Sequence, residues 1–230
     1  MSTQQNGADL RHIRAWIFDL DNTLYPAQAD LFVQIDARMT DYVARMLGLG
    51  REEARRLQKE HYRVHGTTLN GLMKLHGIDP EDFLAKVHDI DLSALTPDPS
   101  LAEGLARLPG QRIVFTNGCR DHAKRVLAKL ELSHLFDAVM DIRAIRFQPK
   151  PDPEAYRTVL EYTGVAASQA VMFEDIARNL VAPHEQGWTT VWLKNGSEWS
   201  RQGPAEPIAG PEHIHYEIDD LASFLHSIRV

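Results

Sequence analysis

The sequence predicts an α/β fold, a doubly wound parallel sheet interrupted directly after its first strand by an all-helical unit. Three observations carry this. From residue 112 onward short apolar runs alternate with helical patterns, as in a parallel sheet covered on both faces. Between Ala27 and Leu95 every periodic segment has helical spacing and none reads as a strand. Finally, several apolar runs end in acidic, hydroxyl or amide residues, and ligand sites of such sheets lie at the carboxyl ends of their strands.

The first strand is Trp16-Ile17-Phe18, which runs into Asp19-Leu20-Asp21-Asn22-Thr23-Leu24 and is broken by Tyr25-Pro26. From Asp30 to Leu49, Leu31, Ile35, Met39, Val43, Met46 and Leu47 recur at helical spacing, and Gly48 and Gly50 close the helix. Arg51 to Tyr62 reads as a charged helix closed near His65-Gly66. Thr67-Thr68 supplies an N-cap for Leu69 to His76, which Gly77 ends. Asp79-Pro80-Glu81 opens a fourth helix to about His88, with Pro in its first turn.

Pro97 and Pro99 mark the change of organisation, and Ser100 to Leu108 is helical. Strands follow at Arg112 to Asn117, Ala138 to Ile142, Ala170 to Phe173 and Thr189 to Leu193. Between them lie helices at His122 to Leu130, Asp152 to Tyr162 and Ile176 to Gln186. Lys194 to Pro211 reads as a long surface loop, Ile214 to Ile218 as an edge strand and Asp220 to Ile228 as a last helix. The expected division is a core of residues 1–26 and 96–230, with residues 27–95 as a helical cap.

Composition narrows the function. With a net charge of −7 the chain has no basic footprint for nucleic acid. Cys119 is the single cysteine, which excludes an intrachain disulfide and a thiolate zinc site. The polar start lacks a signal-peptide core, and no apolar run approaches a membrane span, so a cytoplasmic protein is expected.

The polar strand ends form one constellation. The first strand gives Asp19, Asp21 and Thr23; the second gives Thr116 and Asn117; the fourth gives Glu174 and Asp175. Lys150 sits in Gln148-Pro149-Lys150-Pro151, after the third strand. Carboxylates at i and i+2 of a strand share a side, and several together repel unless a hard cation such as Mg²⁺ lies among them. Metal, lysine and hydroxyl together neutralise phosphate oxygens. One carboxylate can then attack phosphorus, and the second can protonate the leaving oxygen and later activate water. Apart from the metal, that chemistry needs no cofactor.

Asp19-Leu20-Asp21-Asn22-Thr23, Phe115-Thr116-Asn117-Gly118, Lys150-Pro151 and Phe173-Glu174-Asp175 with Asn179 resemble the four ordered motifs of the haloacid dehalogenase-like phosphohydrolases. The resemblance implies that Asp19 is the nucleophile and a Mg²⁺ ligand. It implies that Asp21 is the acid/base and binds the metal through its backbone carbonyl. Thr116 and Lys150 would hold the phosphoryl group, with Asn117 and Gly118 in the phosphate loop. Asp175 would complete the metal site, with Glu174 as a ligand or a partner of one. The dehalogenases of that superfamily lack an acid/base Asp two residues after the nucleophile, so Asp21 favours a phosphatase.

His65-Gly66-Thr67-Thr68-Leu69-Asn70-Gly71-Leu72 and Phe173 to Leu180 further resemble the pyrimidine 5′-nucleotidase branch, with His65 and Thr68 as cap residues at the substrate. The chain departs from that pattern at His65, at Asn70 and at Arg146-Phe147-Gln148. The expected function is Mg²⁺-dependent hydrolysis of pyrimidine nucleoside 5′-monophosphates by a monomer or homodimer. The alternatives are a phosphatase for a sugar phosphate or phosphoglycolate, and a nucleotide- or phosphate-binding module without turnover. His61 and His65, spaced i, i+4, read as part of a charged exposed helix face rather than a metal pair. Trp188, Trp192 and Met172 read as core.

Overall fold

The computed structural model describes residues 7–194 and 212–230. Six parallel strands form one sheet: β1 (Ala15–Phe18), β2 (Gln111–Phe115), β3 (Ala138–Met140), β4 (Ala170–Glu174), β5 (Thr189–Leu193) and β6 (Tyr216–Ile218). Their order is β3-β2-β1-β4-β5-β6, with the chain wound outward in both directions from β1. Phe18 pairs with Val114 of β2 on one side and with Phe173 of β4 on the other. The switch in winding direction therefore falls between β1 and β4, where a doubly wound sheet opens a crevice at its carboxyl edge.

All four residues of β1 are buried, as an apolar run in a central parallel strand requires. Their side chains alternate between two cores. Trp16 and Phe18 face one side with Val114, Val171 and Phe173, where Phe18 stacks on Phe173 at 4.6 Å. Ile17 faces the other with Ile113, Phe115, Met172, Tyr156 and Trp188.

Four helices follow β1: α1 (Leu31–Leu47), α2 (Arg51–His65), α3 (Thr68–His76) and α4 (Pro80–Val87). The Thr67 hydroxyl accepts from the Asn70 N–H at the start of α3, and the Asp79 carboxylate accepts from the Glu81 N–H at the start of α4. Gly48 and Gly77 end α1 and α3 in the left-handed region, at φ 66° and 61°. The remaining helices are α5 (Pro99–Ala106), α6 (Arg120–Lys129), α7 (Pro153–Thr163), α8 (Val181–Glu185) and α9 (Leu221–Ser227).

Two sequence expectations differ from the structure. The continuous helix over Ile176–Gln186 is a 3₁₀ segment, Ala177–Leu180, followed by the short α8. Pro183 has no N–H to offer the Asn179 carbonyl four residues back, and that carbonyl accepts the Tyr156 hydroxyl instead. The second concerns His61, which is 2 % exposed rather than part of a solvated face. Gly71 makes the room, since a Cβ there would lie 2.5 Å from the His61 ring. His65 stays partly exposed, 5.9 Å from it between ring centroids. The loop expected over Lys194 to Pro211 lies, beyond Lys194, outside the described residues.

Candidate active site

Asp19 follows β1 directly and is anchored by its N–H to the Phe173 carbonyl of β4, at 2.9 Å. Asn22 then takes φ 63°, a left-handed turn that Asn tolerates, and the chain folds back so that the Thr23 hydroxyl donates to Asp19 Oδ2 at 3.2 Å. Lys150 arrives from the far side on the segment after β3. Its ammonium donates to Asp19 Oδ1 at 2.5 Å, Glu174 Oε2 at 2.7 Å and the Phe115 carbonyl at 3.1 Å. All three of its protons are thus placed.

Lys150 is held by its own backbone. The Asn117 side chain accepts from the Lys150 N–H at 2.8 Å and donates to the Lys150 carbonyl at 3.1 Å. The Asn117 amide therefore clamps the lysine, and the residue also lines the cleft. Thr116 is different. Its Oγ1 accepts from the Gly118 N–H at 2.9 Å, which leaves its own proton for an acceptor in the cleft.

Oxygens of Asp19, Glu174 and Asp175 lie within 4.8 Å of one another, and all three residues are buried. Carboxylates brought this close repel one another, and a divalent cation among them would offset that repulsion. The set is all oxygen, as a hard cation prefers. Burial and the neighbouring Glu174 raise the Asp19 carboxyl, outweighing the opposing pull of Lys150. Burial opposes the charge on Lys150, but Asp19 and Glu174 hold its ammonium above the ordinary lysine value.

Asp21 stands apart from this cluster. Burial acts to raise its carboxyl, but His122 beside it and the hydrogen bond from Tyr25 hold it at about 2. An anion placed against Asp21 would favour its protonated form.

The cleft is closed from above by the helices after β1. Phe32, Ile35 and Met39 of α1, Lys59 and Tyr62 of α2, Leu69 of α3 and Phe83 and Val87 of α4 line it opposite Asp19 and Asp21. Thr68 lines it too, although its hydroxyl donates to the Gln58 carbonyl inside the helical unit. His65 is not among the lining residues, and its imidazole packs toward His61. The two departures at Asn70 and at Arg146-Phe147-Gln148 meet in space, because Asn70 Nδ2 donates to the Phe147 carbonyl at 3.0 Å. Arg146 and Phe147 are both left-handed, at φ 55° and 57°, where the chain turns toward Lys150.

Sequence reasoning passed over His122, Tyr25 and His88. His122 Nε2 lies 3.0 Å from Asp21 Oδ1, the Tyr25 hydroxyl donates to the same oxygen at 2.6 Å, and His88 stacks on His122 at 4.8 Å. Only the Asp21-to-Tyr25 spacing of four residues offered a local signal. Cys119 is buried, and burial raises its thiol, consistent with no nucleophilic part.

A family model for haloacid dehalogenase-like hydrolases matches residues 13–185. The chain belongs to that family. Among curated relatives of this haloacid dehalogenase-like hydrolase, it is 29 % identical over 179 residues to phosphate metabolism protein 8 of Saccharomyces cerevisiae. That match covers 70 % of this chain and 55 % of the yeast protein, so the chain spans little more than half the relative's length. It is 25 % identical to the glyceraldehyde 3-phosphate phosphatase of Methanopyrus kandleri, over 94 % of this chain and 97 % of that protein. Among solved structures, a predicted phosphoglycolate phosphatase from Haemophilus somnus superposes with a TM-score of 0.63, at 18 % identity, over 94 % of this chain and 97 % of the other. Haloacid dehalogenases themselves also share the fold.

Proposed function

We propose that the chain is a Mg²⁺-dependent phosphomonoesterase that works through a phosphorylated Asp19, with a nucleoside 5′-monophosphate as its substrate. The observation that carries the reading is the second carboxylate. Asp21 lines the same cleft as Asp19 but lies outside the acidic cluster, so one carboxylate is free to attack and the other to move a proton. A dehalogenase has no use for the second, and neither has a module that binds without turnover.

Asp19, Glu174 and Asp175 would hold the ion, with the Asp21 backbone carbonyl as a further ligand. When bound, magnesium would supply positive charge to the phosphoryl oxygens. The Thr116 hydroxyl binds and orients those oxygens, while the Lys150 ammonium, its protons held by Asp19, Glu174 and the Phe115 carbonyl, adds positive charge beside them and keeps Asp19 in place. Asp19 attacks phosphorus while Asp21 protonates the leaving oxygen, and Asp21 then takes a proton from the water that releases phosphate. Residues 27–95 act as a cap over residues 1–26 and 96–230, and exclude bulk water from the cleft. The apolar and aromatic wall of Phe32, Phe83 and Tyr62 suits the flat face of a base.

The whole-length similarity to a glyceraldehyde 3-phosphate phosphatase favours a second reading, in which the leaving group is a small sugar. Phosphate release from UMP, CMP, AMP and glyceraldehyde 3-phosphate with Mg²⁺ separates the two. The nucleotide reading predicts a kcat/KM at least about tenfold higher for UMP or CMP. A preference for the triose phosphate would transfer the function to the second reading.

A further inference from the structure

Two hydrogen bonds converge on one oxygen of Asp21 and none of the described residues bonds the other. Tyr25 donates its hydroxyl to Oδ1, and His122 Nε2 reaches the same atom from the first turn of α6, 101 residues away in sequence. Both are fixed by packing, with Tyr25 3 % and His122 0 % exposed. The His122 ring is stacked on His88, whose Nδ1 is held by the Leu84 carbonyl at 3.0 Å.

His122 Nδ1 is buried with no hydrogen-bond partner. Leaving a buried ring nitrogen unpaired costs free energy, least when that nitrogen carries a lone pair and not a proton. The partners therefore assign the proton to Nε2, which donates to Asp21. Beyond filling space, the imidazole carries a ring N–H that a buried Leu would lack. What it supplies is a fixed donor on one side of a carboxylate.

We propose that His122, assisted by Tyr25, is a positioning residue that ties down Asp21 by Oδ1 and leaves Oδ2 facing the leaving-group oxygen. The proposal rests on the reading of Asp21 as the acid and base. In the first step a bond forms from Asp19 to phosphorus as the ester P–O bond breaks. The bonding electron pair leaves on the ester oxygen, and the proton on Asp21 Oδ2 moves to that oxygen. In the second step water attacks phosphorus and gives its proton to Oδ2. The bond between Asp19 and phosphorus breaks, and phosphate departs. Neither step consumes a group outside the substrate and water. A carboxylate free to rotate would present Oδ2 correctly only part of the time.

The test exploits leaving-group chemistry. An alkoxide needs the proton to depart, whereas p-nitrophenolate hardly does, and kcat/KM reports the steps up to loss of the leaving group. His122→Leu, His122→Gln and Tyr25→Phe are compared on an alkyl ester (UMP, or glycerol 3-phosphate if that is turned over faster) and on p-nitrophenyl phosphate. For His122→Leu the alkyl kcat/KM should fall about 10- to 100-fold and the aryl value less than about threefold. His122→Gln, which can place an N–H near the same point, should recover most of the loss. Tyr25→Phe should show the same split at smaller size, and it carries the test if His122→Leu fails to fold.

Equal losses on both esters would reduce His122 to a structural role and overturn the proposal. Asp21→Asn separates the two levels of the account. If it shows the leaving-group split and the His122 variants do not, only the positioning is wrong. If Asp21→Asn keeps full alkyl phosphatase activity, the acid/base reading has failed instead.

Discussion

Lys150 is the residue on which stability and chemistry meet. Its ammonium lies between the buried carboxylates of Asp19 and Glu174, so removing it leaves two charges together without their counter-ion. Lys150→Met should therefore destabilise the metal-free protein by about 3–5 kcal/mol in urea unfolding, and added Mg²⁺ should narrow the gap. Unchanged stability without metal would show that these carboxylates are neutralised in another way. Asp19, Asp21, Thr116 and Asp175 were legible in the sequence because each stands at or near a strand end, and parallel strands carry their ends to one edge; Lys150 was legible from its Pro-flanked place between β3 and α7. His122 was not. It reads as an ordinary helix residue, and its meaning comes only from lying beside Asp21. Asn117 was legible as part of the site, but its use as a clamp on Lys150 depends on a segment more than thirty residues away.

Among the elements, α4 links the helical unit to the cleft. Its C-cap, His88, is buried against His122 and Cys119, and burial, with His122 next, lowers its imidazole to about 3. A group lowered on folding contributes stability that is present above its unfolded value, near 6.5, and lost as pH falls toward the folded value. His88 should thus destabilise the protein by up to about 1.4 kcal/mol per pH unit as pH drops below roughly 6.5. His88→Leu should flatten that part of the profile in urea unfolding between pH 7 and 5, and parallel profiles for the two proteins would contradict the assignment. Caps and turns of α1, α3 and α4 were readable because Gly, Thr, Asp and Pro act locally. The break in front of α8 and the burial of His61 were not, since each depends on a distant partner, the Tyr156 hydroxyl in one case and the missing Cβ of Gly71 in the other.

At the scale of the molecule, the order of the strands does the assembling. Winding outward from β1 places the Asp19 segment beside both Thr116 and Glu174, and the helices inserted after β1 are left above that edge. The alternation of apolar strands and helices made this arrangement readable, because parallel pairing needs crossovers and both faces must be covered. How α1, α2, α3 and α4 line the cleft above the strand ends was not readable, because it depends on packing between segments distant in sequence. No described helix is long and apolar enough to cross a membrane. The central claim is that Asp19 itself carries the phosphoryl group. Acid quenching during turnover, followed by mass measurement of the peptide containing Asp19, tests it directly. The account predicts one phosphoryl increment on that peptide, discharged as substrate is exhausted, and neither increment nor turnover in Asp19→Asn. Steady turnover by Asp19→Asn, or a phosphoryl group found on another residue, would contradict it.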